Sequence, residues 1–383
     1  MVLSRKVSER GMTIEISNLF TRRTSLLVFG LVSVLILAIA CSSEGEDTSE
    51  APAATSAPVT TAASSSSSAP IESETGGELV IYSGRSESLV DPLIKMFEEA
   101  TGIDAKVNYG KTGELAATLL EEGDRSPADV FFAQDPGGLG SVIDMVGPLD
   151  SDLIDRVPGW ASSPDDLWVG ISGRARTVVY NTDELSPEDL PDTLDGFTDP
   201  AWKGRIGWAP TNGSFQAMVT GMRIVWGEDR TREWLEGIVA NEATVYAKNT
   251  PTVAATGAGE VEVGFVNHYY LHRFLAEEGD GFAARNYFLP GGGPGSAVLV
   301  AGAAILKTAE NESQAKRFLD YLLSEEAQNY FAEETYEYPL IDGVSHSELL
   351  PALDTLNTPD IDISDLGDLE ATQNLLREAG ALP

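Results

Sequence analysis

The chain has 383 residues, enough for two domains once its ends are set aside, and carries 25 Lys and Arg against 60 Asp and Glu, a formal net charge of -35. A surface so acidic repels nucleic acid and anionic membrane, and no basic cluster offsets it, so nucleic-acid binding is excluded as a function. A highly solvated surface shows the same acidity, which therefore does not by itself identify a cation as ligand.

Arg22 and Arg23 precede an apolar stretch from Leu26 to Ala40 that is short for a membrane span and ends in small residues, as a signal peptide does. Residues 1–40 are read as that signal peptide, with Met12 in the polar lead offering a later start. Leu37-Ala38-Ile39-Ala40-Cys41 resembles a bacterial lipobox, although Ala38 stands where leucine is more usual. Cys41 is the only cysteine, so no internal disulfide can form, and its place directly after the apolar run fits lipidation. The alternative is ordinary cleavage after Ala40 with Cys41 left free. From Ser42 to Gly77 the chain is Ser, Thr, Ala, Pro and Glu, too poor in large apolar residues to offset the entropy of ordering, so residues 41–77 read as a lipidated cysteine and a disordered tether. An amino-terminal lipid of two or three chains anchors firmly, which describes a protein touching the outer face of a cell membrane through its lipid alone.

The globular body begins with the β-rich run Glu78 to Gly84. Leu89 to Ala100 places Leu89, Leu93, Met96 and Phe97 on one helical face and stops at Thr101-Gly102. Ile103 to Tyr109 reads as a strand, Thr112 to Gly123 as a helix and Ala128 to Ala133 as a short buried strand. The order βαβαβ predicts a parallel α/β sheet with helices on both faces. Ligands of such sheets sit beyond the carboxyl ends of the strands, which selects Ser83 to Glu87 and Gln134-Asp135, although Ser83, Ser86 and Asp135 also suit helix caps.

Trp168 to Asn181 reads as extended chain crossing the molecule, with Arg174 and Arg176 two apart on one face. Buried, the pair would hold an anion; on an open face it would balance nearby acids. Glu184 to Pro200 is polar loop, and Trp202 to Trp208 leads into Thr211-Asn212-Gly213-Ser214 before a helix over Gln216 to Trp226. Free N–H groups and small hydroxyls at that junction can hold an anion, without being a P-loop or a dinucleotide fingerprint. Arg232 to Asn241 is predicted helical, Val245 to Asn249 and Val261 to Val266 extended, and Phe288 to Gly295 a flexible crossover lacking the lysine of a phosphate cradle. Val298 to Leu306 reads as a strand, Asn311 to Phe331 as one helix and Leu366 to Gly380 as the last.

Val266-Asn267-His268-Tyr269-Tyr270 ends an apolar strand in two adjacent tyrosines. Neighbouring side chains diverge on strands and helices alike, so the two phenols converge only where the backbone turns, and Asn267 is the candidate cap of the helix that follows. The pair reads either as hard oxygen ligands of a ferric ion or as one core and one half-exposed tyrosine. His268 and His272 have the spacing of a zinc pair on a helix but lack the glutamate of HExxH, and satisfied or solvated histidines remain the alternative. Gly-x-Ser-x-Gly is absent and no cysteine falls in the globular region, so nothing supports an enzyme.

Leu79 to Arg85, Ser126 to Phe132, Ser172 to Tyr180, Trp202 to Gly207, Tyr246 to Asn249, Asn267 to Tyr270 and Tyr338 to Leu340 together resemble, in this order, the ferric-ion-binding proteins of bacterial ABC transporters. The resemblance runs from about Glu78 to the C-terminus. It implies a two-lobe periplasmic-binding-protein type II fold with a hinge of crossing strands, the first lobe at 78–175 and 300–350, the second at 176–299 and 351–383. It implies Fe(3+) held by Tyr269 and Tyr270, and a synergistic anion, phosphate or carbonate, at Asn212, Gly213, Ser214, Asn249 and Asn267. The first lobe would add from Ser86, Glu87, Gln134 and Asp135. Ser86 stands where well-studied members have a histidine and Gln134 where they have a glutamate, while the third tyrosine of other branches is missing from Thr211 to Phe215. The implied role is a monomeric extracytoplasmic lipoprotein that hands iron to an ABC permease and its ATPase. The alternative is the same fold binding a phosphorylated or other anionic small molecule without iron, for which Arg85, Arg174 and Arg176 speak.

Overall fold

The computed structural model describes residues 76–361 and 363–383; the signal peptide, Cys41 and the tether up to residue 75 lie outside the described residues. In chain order the first half holds β1 (Gly77–Ser83), α1 (Glu87–Thr101), β2 (Ile103–Tyr109), α2 (Thr112–Glu122), β3 (Val130–Ala133), α3 (Pro136–Ser141), α4 (Ser151–Ile154) and β4 (Val169–Asn181). Next come β5 (Ile206–Trp208), α5 (Gly213–Trp226), α6 (Glu228–Ala240), β6 (Thr244–Val245), α7 (Asn249–Gly257), β7 (Val263–Asn267), α8 (Tyr269–Glu278) and β8 (Ala284–Tyr287). The chain closes with β9 (Val298–Ile305), α9 (Glu312–Leu322), α10 (Glu325–Glu333) and α11 (Leu369–Glu378). None of the described helices is long and apolar enough to cross a membrane.

Local rules explain most of these bounds. α1 buries Leu89, Val90, Leu93, Ile94 and Phe97 along one stripe, and Gly102 ends it in the left-handed region at φ 72°, donating its N–H to the Glu98 carbonyl. Asn212 caps α5 by accepting from the N–H groups of Ser214 and Phe215. Two expectations are corrected. Val245 to Asn249 is not a strand throughout: only Thr244–Val245 pairs, and Asn249 opens α7, whose Thr-rich run gives no clear helical stripe to read. The single helix expected over Asn311 to Phe331 is two, because the Ser324 hydroxyl accepts from Ala327 N–H and restarts the helix there.

The strands form one mixed sheet in the order β2-β1-β3-β9-β4-β7-β5-β6, with β8 also on β4. As the βαβαβ pattern predicts, β1 lies parallel to β2 and to β3, while β9 returns antiparallel against β3. β4 is the long crossing strand: its first half pairs antiparallel with β9 and its second half with β7 and β8. That register sets Arg174 opposite Leu299 on β9 and Arg176 opposite Asn267 on β7.

Apolar cores pack about this crossing, and the first of them reaches across it to Val266, Tyr269 and Tyr270. It gathers Phe97, Phe131, Phe132 and Phe318 with the β1, β3 and β9 side chains. The other gathers Phe197, Trp208, Phe215, Trp234 and Phe265, with Phe197 edge-on to Phe265 at 5.4 Å, and takes in Leu375 and Leu376 of α11. Each fully buried large side chain contributes roughly 1.5–3 kcal/mol. The two α/β layers joined by β4 and β9 place the loops after β1, β3, β5 and β7 around one cleft.

Candidate functional site

β7 ends at Asn267 and α8 begins at Tyr269, so the backbone turns where the sequence requires it. The two tyrosine rings stack at 4.2 Å with 29° between their planes, and both are buried, Tyr269 at 1% and Tyr270 at 4% exposure. Tyr270 lines a cleft of about 720 Å³ whose walls also include Gly84 to Glu87, Gln134, Asp135 and Thr211 to Gly213. Burial first, and then the neighbouring Tyr270, holds the Tyr269 phenol well above its ordinary pKa, while Arg85 pulls the other way.

Asn267 is not the cap of α8, a correction to the sequence expectation. Its carboxamide lies sideways in the sheet, accepting from Arg176 Nη1 at 2.8 Å and donating to Ser214 Oγ at 3.2 Å. His268 takes the cap position without a capping hydrogen bond from its side chain. Its ring is consumed elsewhere: Nδ1 accepts from Ala175 N–H at 3.1 Å and Nε2 donates to the Tyr336 carbonyl at 2.7 Å. With both nitrogens engaged on backbone it is a satisfied core histidine, and burial lowers its pKa to about 4. His272 stacks on Tyr336 at 4.9 Å rather than joining His268 at a metal. Among the described residues no group of three or more His, Cys, Asp or Glu is placed to hold a metal ion.

Ser214 is the hub of the anion loop. Its hydroxyl receives Gln134 Nε2 at 3.0 Å, Arg174 Nη1 at 3.0 Å and Asn267 Nδ2 at 3.2 Å. A hydroxyl has two lone pairs, so three N–H donors converge on less acceptor capacity than they can use. The expected residues Gln134, Ser214 and Asn267 are thus brought together in one network. Asn212 serves as a cap beside it, and Gly213 faces Asp135, whose Oδ2 would lie 2.2 Å from a Cβ at that position. Asp135 caps α3 through Gly138 N–H, and burial raises its pKa, with Arg174 opposing. Ser86 and Glu87 line the cleft at the start of α1 without a side-chain cap bond from Ser86. Asn249 is buried at the start of α7, with neither side-chain atom hydrogen-bonded.

The arginines settle as buried groups, resolving the alternatives left open for Arg174 and Arg176. Their exposures are 0% and 1%, and Arg85 joins them at 2%. Arg174 Nη2 donates to the Val300 carbonyl at 2.9 Å. Arg176 has its pKa lowered to about 9 by burial and then by Arg174. Arg85 pairs through Nη2 with Glu337, whose other oxygen accepts from Ser172 Oγ at 2.5 Å. Glu337 stays below the usual carboxylate range: burial, the largest single effect, pushes it up, but Arg85, Arg174 and the Ser172 hydrogen bond together outweigh that. Arg85 in turn stays above its ordinary value because Glu337 and the two tyrosines together outweigh the largest single effect, burial. Sequence reading missed Glu337. It follows Glu333 and Glu334 in an acid-rich stretch, and its partner lies 252 residues away, so the only signal was its place before the Tyr338-Pro339-Leu340 motif.

Residues 92–357 match a family model described as bacterial extracellular solute-binding protein. The chain belongs to that family. The major ferric iron-binding protein of Neisseria meningitidis serogroup B is 34% identical over 310 residues, covering 79% of this chain and 93% of the relative. Iron-bound HitA from Pseudomonas aeruginosa superposes with a TM-score of 0.76 at 30% identity, over 79% of this chain and 99% of that one. A Trichodesmium protein (IdiA, FutA) in complex with iron and citrate gives 0.68 at 28% identity, over 79% and 99%. Within the extracellular solute-binding family the chain stands with the ferric-ion-binding proteins, and its fold is their two-lobe α/β architecture.

Proposed function

We propose that this solute-binding protein captures ferric iron outside the cytoplasm, with Tyr269 and Tyr270 as its phenolate ligands, and delivers it to an ABC permease driven by a separate ATPase. The observation that carries the reading is the stacked, buried tyrosine pair at the β7 to α8 turn, of which Tyr270 stands on the wall of the cleft. Similarity to a ferric iron-binding protein and to an iron-bound one supports it. Two phenolates neutralise two of the three ferric charges, and each surrenders a proton on binding. A small anion supplies the rest at the Ser214 network, where Gln134, Arg174 and Asn267 converge. Asn212, Gly213 and Asn249 complete the loop side of that site. Asp135 faces it from the other lobe, and Ser86 and Glu87 lie on the cleft wall.

The lobes comprise 78–175 with 300–350 and 176–299 with 351–383; the apolar core of Phe197, Trp208, Phe265 and Leu376, drawn wholly from the second set, supports this division. Cargo contacting both lobes favours the closed arrangement by its differential contacts. The protein works as a monomeric binding protein without catalysis, tethered through a lipid on Cys41. Purified protein supplied with ferric iron and phosphate or carbonate should develop a visible phenolate-to-iron charge-transfer band, diminished in Tyr269→Phe and in Tyr270→Phe. Absence of the band in wild type refutes the ferric assignment. The second reading, an anionic cargo without metal, is favoured by the three buried guanidinium groups, and calorimetry with phosphate esters in a chelator tests it.

A further inference from the structure

The turn after α10 holds a backbone conformation that its side chain does not favour. Tyr336 has φ 56°, in the left-handed region that glycine and asparagine enter most readily. The Phe331 carbonyl accepts from Glu337 N–H at 2.8 Å and from Thr335 Oγ1 at 2.9 Å, so Tyr336 is the left-handed residue that closes the end of α10, a place usually taken by Gly or Asn. Among the described residues only Asp166 and Glu242 share this region without being glycine, and both are exposed acids, whereas Tyr336 is half-buried. A bulky aromatic kept in a costly conformation points to a task for the groups it presents.

Those groups go to α8. The Tyr336 carbonyl accepts from His268 Nε2 at 2.7 Å, and its ring stacks on His272 at 4.9 Å with 28° between the planes. His268 and His272 lie four apart on one helical face, one residue before and two residues after the tyrosine pair. α8 needs such an anchor, because the side chain at its cap position makes no capping bond and its first N–H groups are not tied that way. The turn is itself pinned on its far side. Glu337 pairs with Arg85 and accepts from Ser172 Oγ, and Tyr338 exchanges two backbone hydrogen bonds with Gly173 of β4, at 2.7 and 2.9 Å. On the same strand Ala175 N–H donates to His268 Nδ1 at 3.1 Å. The first turn of α8 is therefore held between β4 and Tyr336.

We propose that Tyr336 is a positioning residue for ferric binding: by gripping His268 and His272 it fixes the direction in which the first turn of α8 presents the Tyr269 and Tyr270 phenols. This rests on the ferric reading and adds to it a residue outside the coordination sphere. Metal sites need their ligands held to a fraction of an ångström, and losing a group that orients them lowers metal affinity by about 10–100-fold.

The test compares Tyr336→Asn with Tyr336→Phe. Asparagine suits the left-handed turn and keeps the carbonyl but has no ring to stack, while phenylalanine keeps the ring. Iron-free protein is loaded with ferric chloride in phosphate buffer, affinity is measured by competition with nitrilotriacetate, and the phenolate-to-iron charge-transfer band is recorded, with a thermal melt of the iron-free protein as control. Tyr336→Asn should lose about 10–100-fold in ferric affinity and shift the band while still melting cooperatively, and Tyr336→Phe should keep both as in wild type. His272→Ala attacks the other side of the stack without touching the turn, so it decides the matter should Tyr336→Asn fail to fold. It should show the same loss, His272→Phe should restore most of it, and Tyr336→Asn with His272→Ala should lose no more than either alone. Wild-type affinity and an unshifted band in Tyr336→Asn or in His272→Ala overturn the inference and leave the ferric reading standing, as do losses that add in the double variant. No band in wild type overturns the ferric reading and the inference with it.

Discussion

Replacing Glu337 by Gln removes one charge from a buried pair and almost no volume. Glu337 is 0% exposed and its partner Arg85 2%. One carboxylate oxygen takes Arg85 Nη2 and the other takes Ser172 Oγ at 2.5 Å. The amide can keep the serine contact, but it leaves Arg85 charged in a site where Arg174 already repels it. Breaking a buried pair from one side costs about 3–5 kcal/mol, a large share of the roughly 5–15 kcal/mol that holds a domain together. At about 2–4 °C per kcal/mol for a large domain, the melting temperature should fall by roughly 6–20 °C. The measurement is a thermal melt of iron-free protein followed by circular dichroism in low-salt buffer without polyvalent anions. Arg85→Gln combined with Glu337→Gln should recover most of the loss, because the pair is then neutral on both sides. A single variant that melts within about 2 °C of wild type, or a double variant that falls by the sum of the two singles, refutes the view that this pair is an ion pair sealed from solvent.

Gly213→Ala puts a Cβ where Asp135 Oδ2 lies 2.2 Å away, so the two sides of the cleft cannot approach as they do here. We expect cargo affinity to fall at least tenfold with the melting temperature of the iron-free protein little changed, and Asp135→Ala on the same background to restore part of it; equal affinity by titration would sink the clash argument. His268 is buried neutral, with its pKa lowered from 6.5 to about 4, so the folded state takes up its proton later than the unfolded chain. Its stabilising contribution is therefore complete above pH 6.5 and is lost as pH falls from 6.5 towards 4, a change of up to about 3 kcal/mol. Urea unfolding of the iron-free protein across that range should show the slope, and His268→Gln should flatten it; an unchanged slope in the variant assigns the effect to other groups.

Much of the site was legible wherever a signal stays within a few residues. The cap at Asn212 follows from an Asn before a helix whose N–H groups it can reach, and the structure shows it accepting from two of them. The need for a turn at Tyr269-Tyr270 follows from side-chain divergence alone, and the chain turns there. The two-residue spacing of Arg174 and Arg176 fixed a common face in any strand. Whether that face met water or protein depended on β9 and β7 flanking β4, strands drawn from more than 80 residues further along the chain. The same limit hid the Arg85 and Glu337 pair, and the three donors that meet on Ser214 from β4, β7 and the loop after β3. Local failures had local causes: α7 offers no clear apolar stripe, and the break at Ser324 is masked by apolar periodicity continuing through both helices.

The sequence by itself determined the acidic body, the α/β succession of elements and the adjacency of two phenols at a strand end. Periodicity and caps act over three or four residues, and no fold is needed to read them. Only the tertiary structure decided that three arginines from β4 and the loop after β1 are buried around those phenols, with Glu337 their closest counter-charge. Burial and charge pairing belong to side chains brought together from distant segments, and no pattern within a few residues carries them.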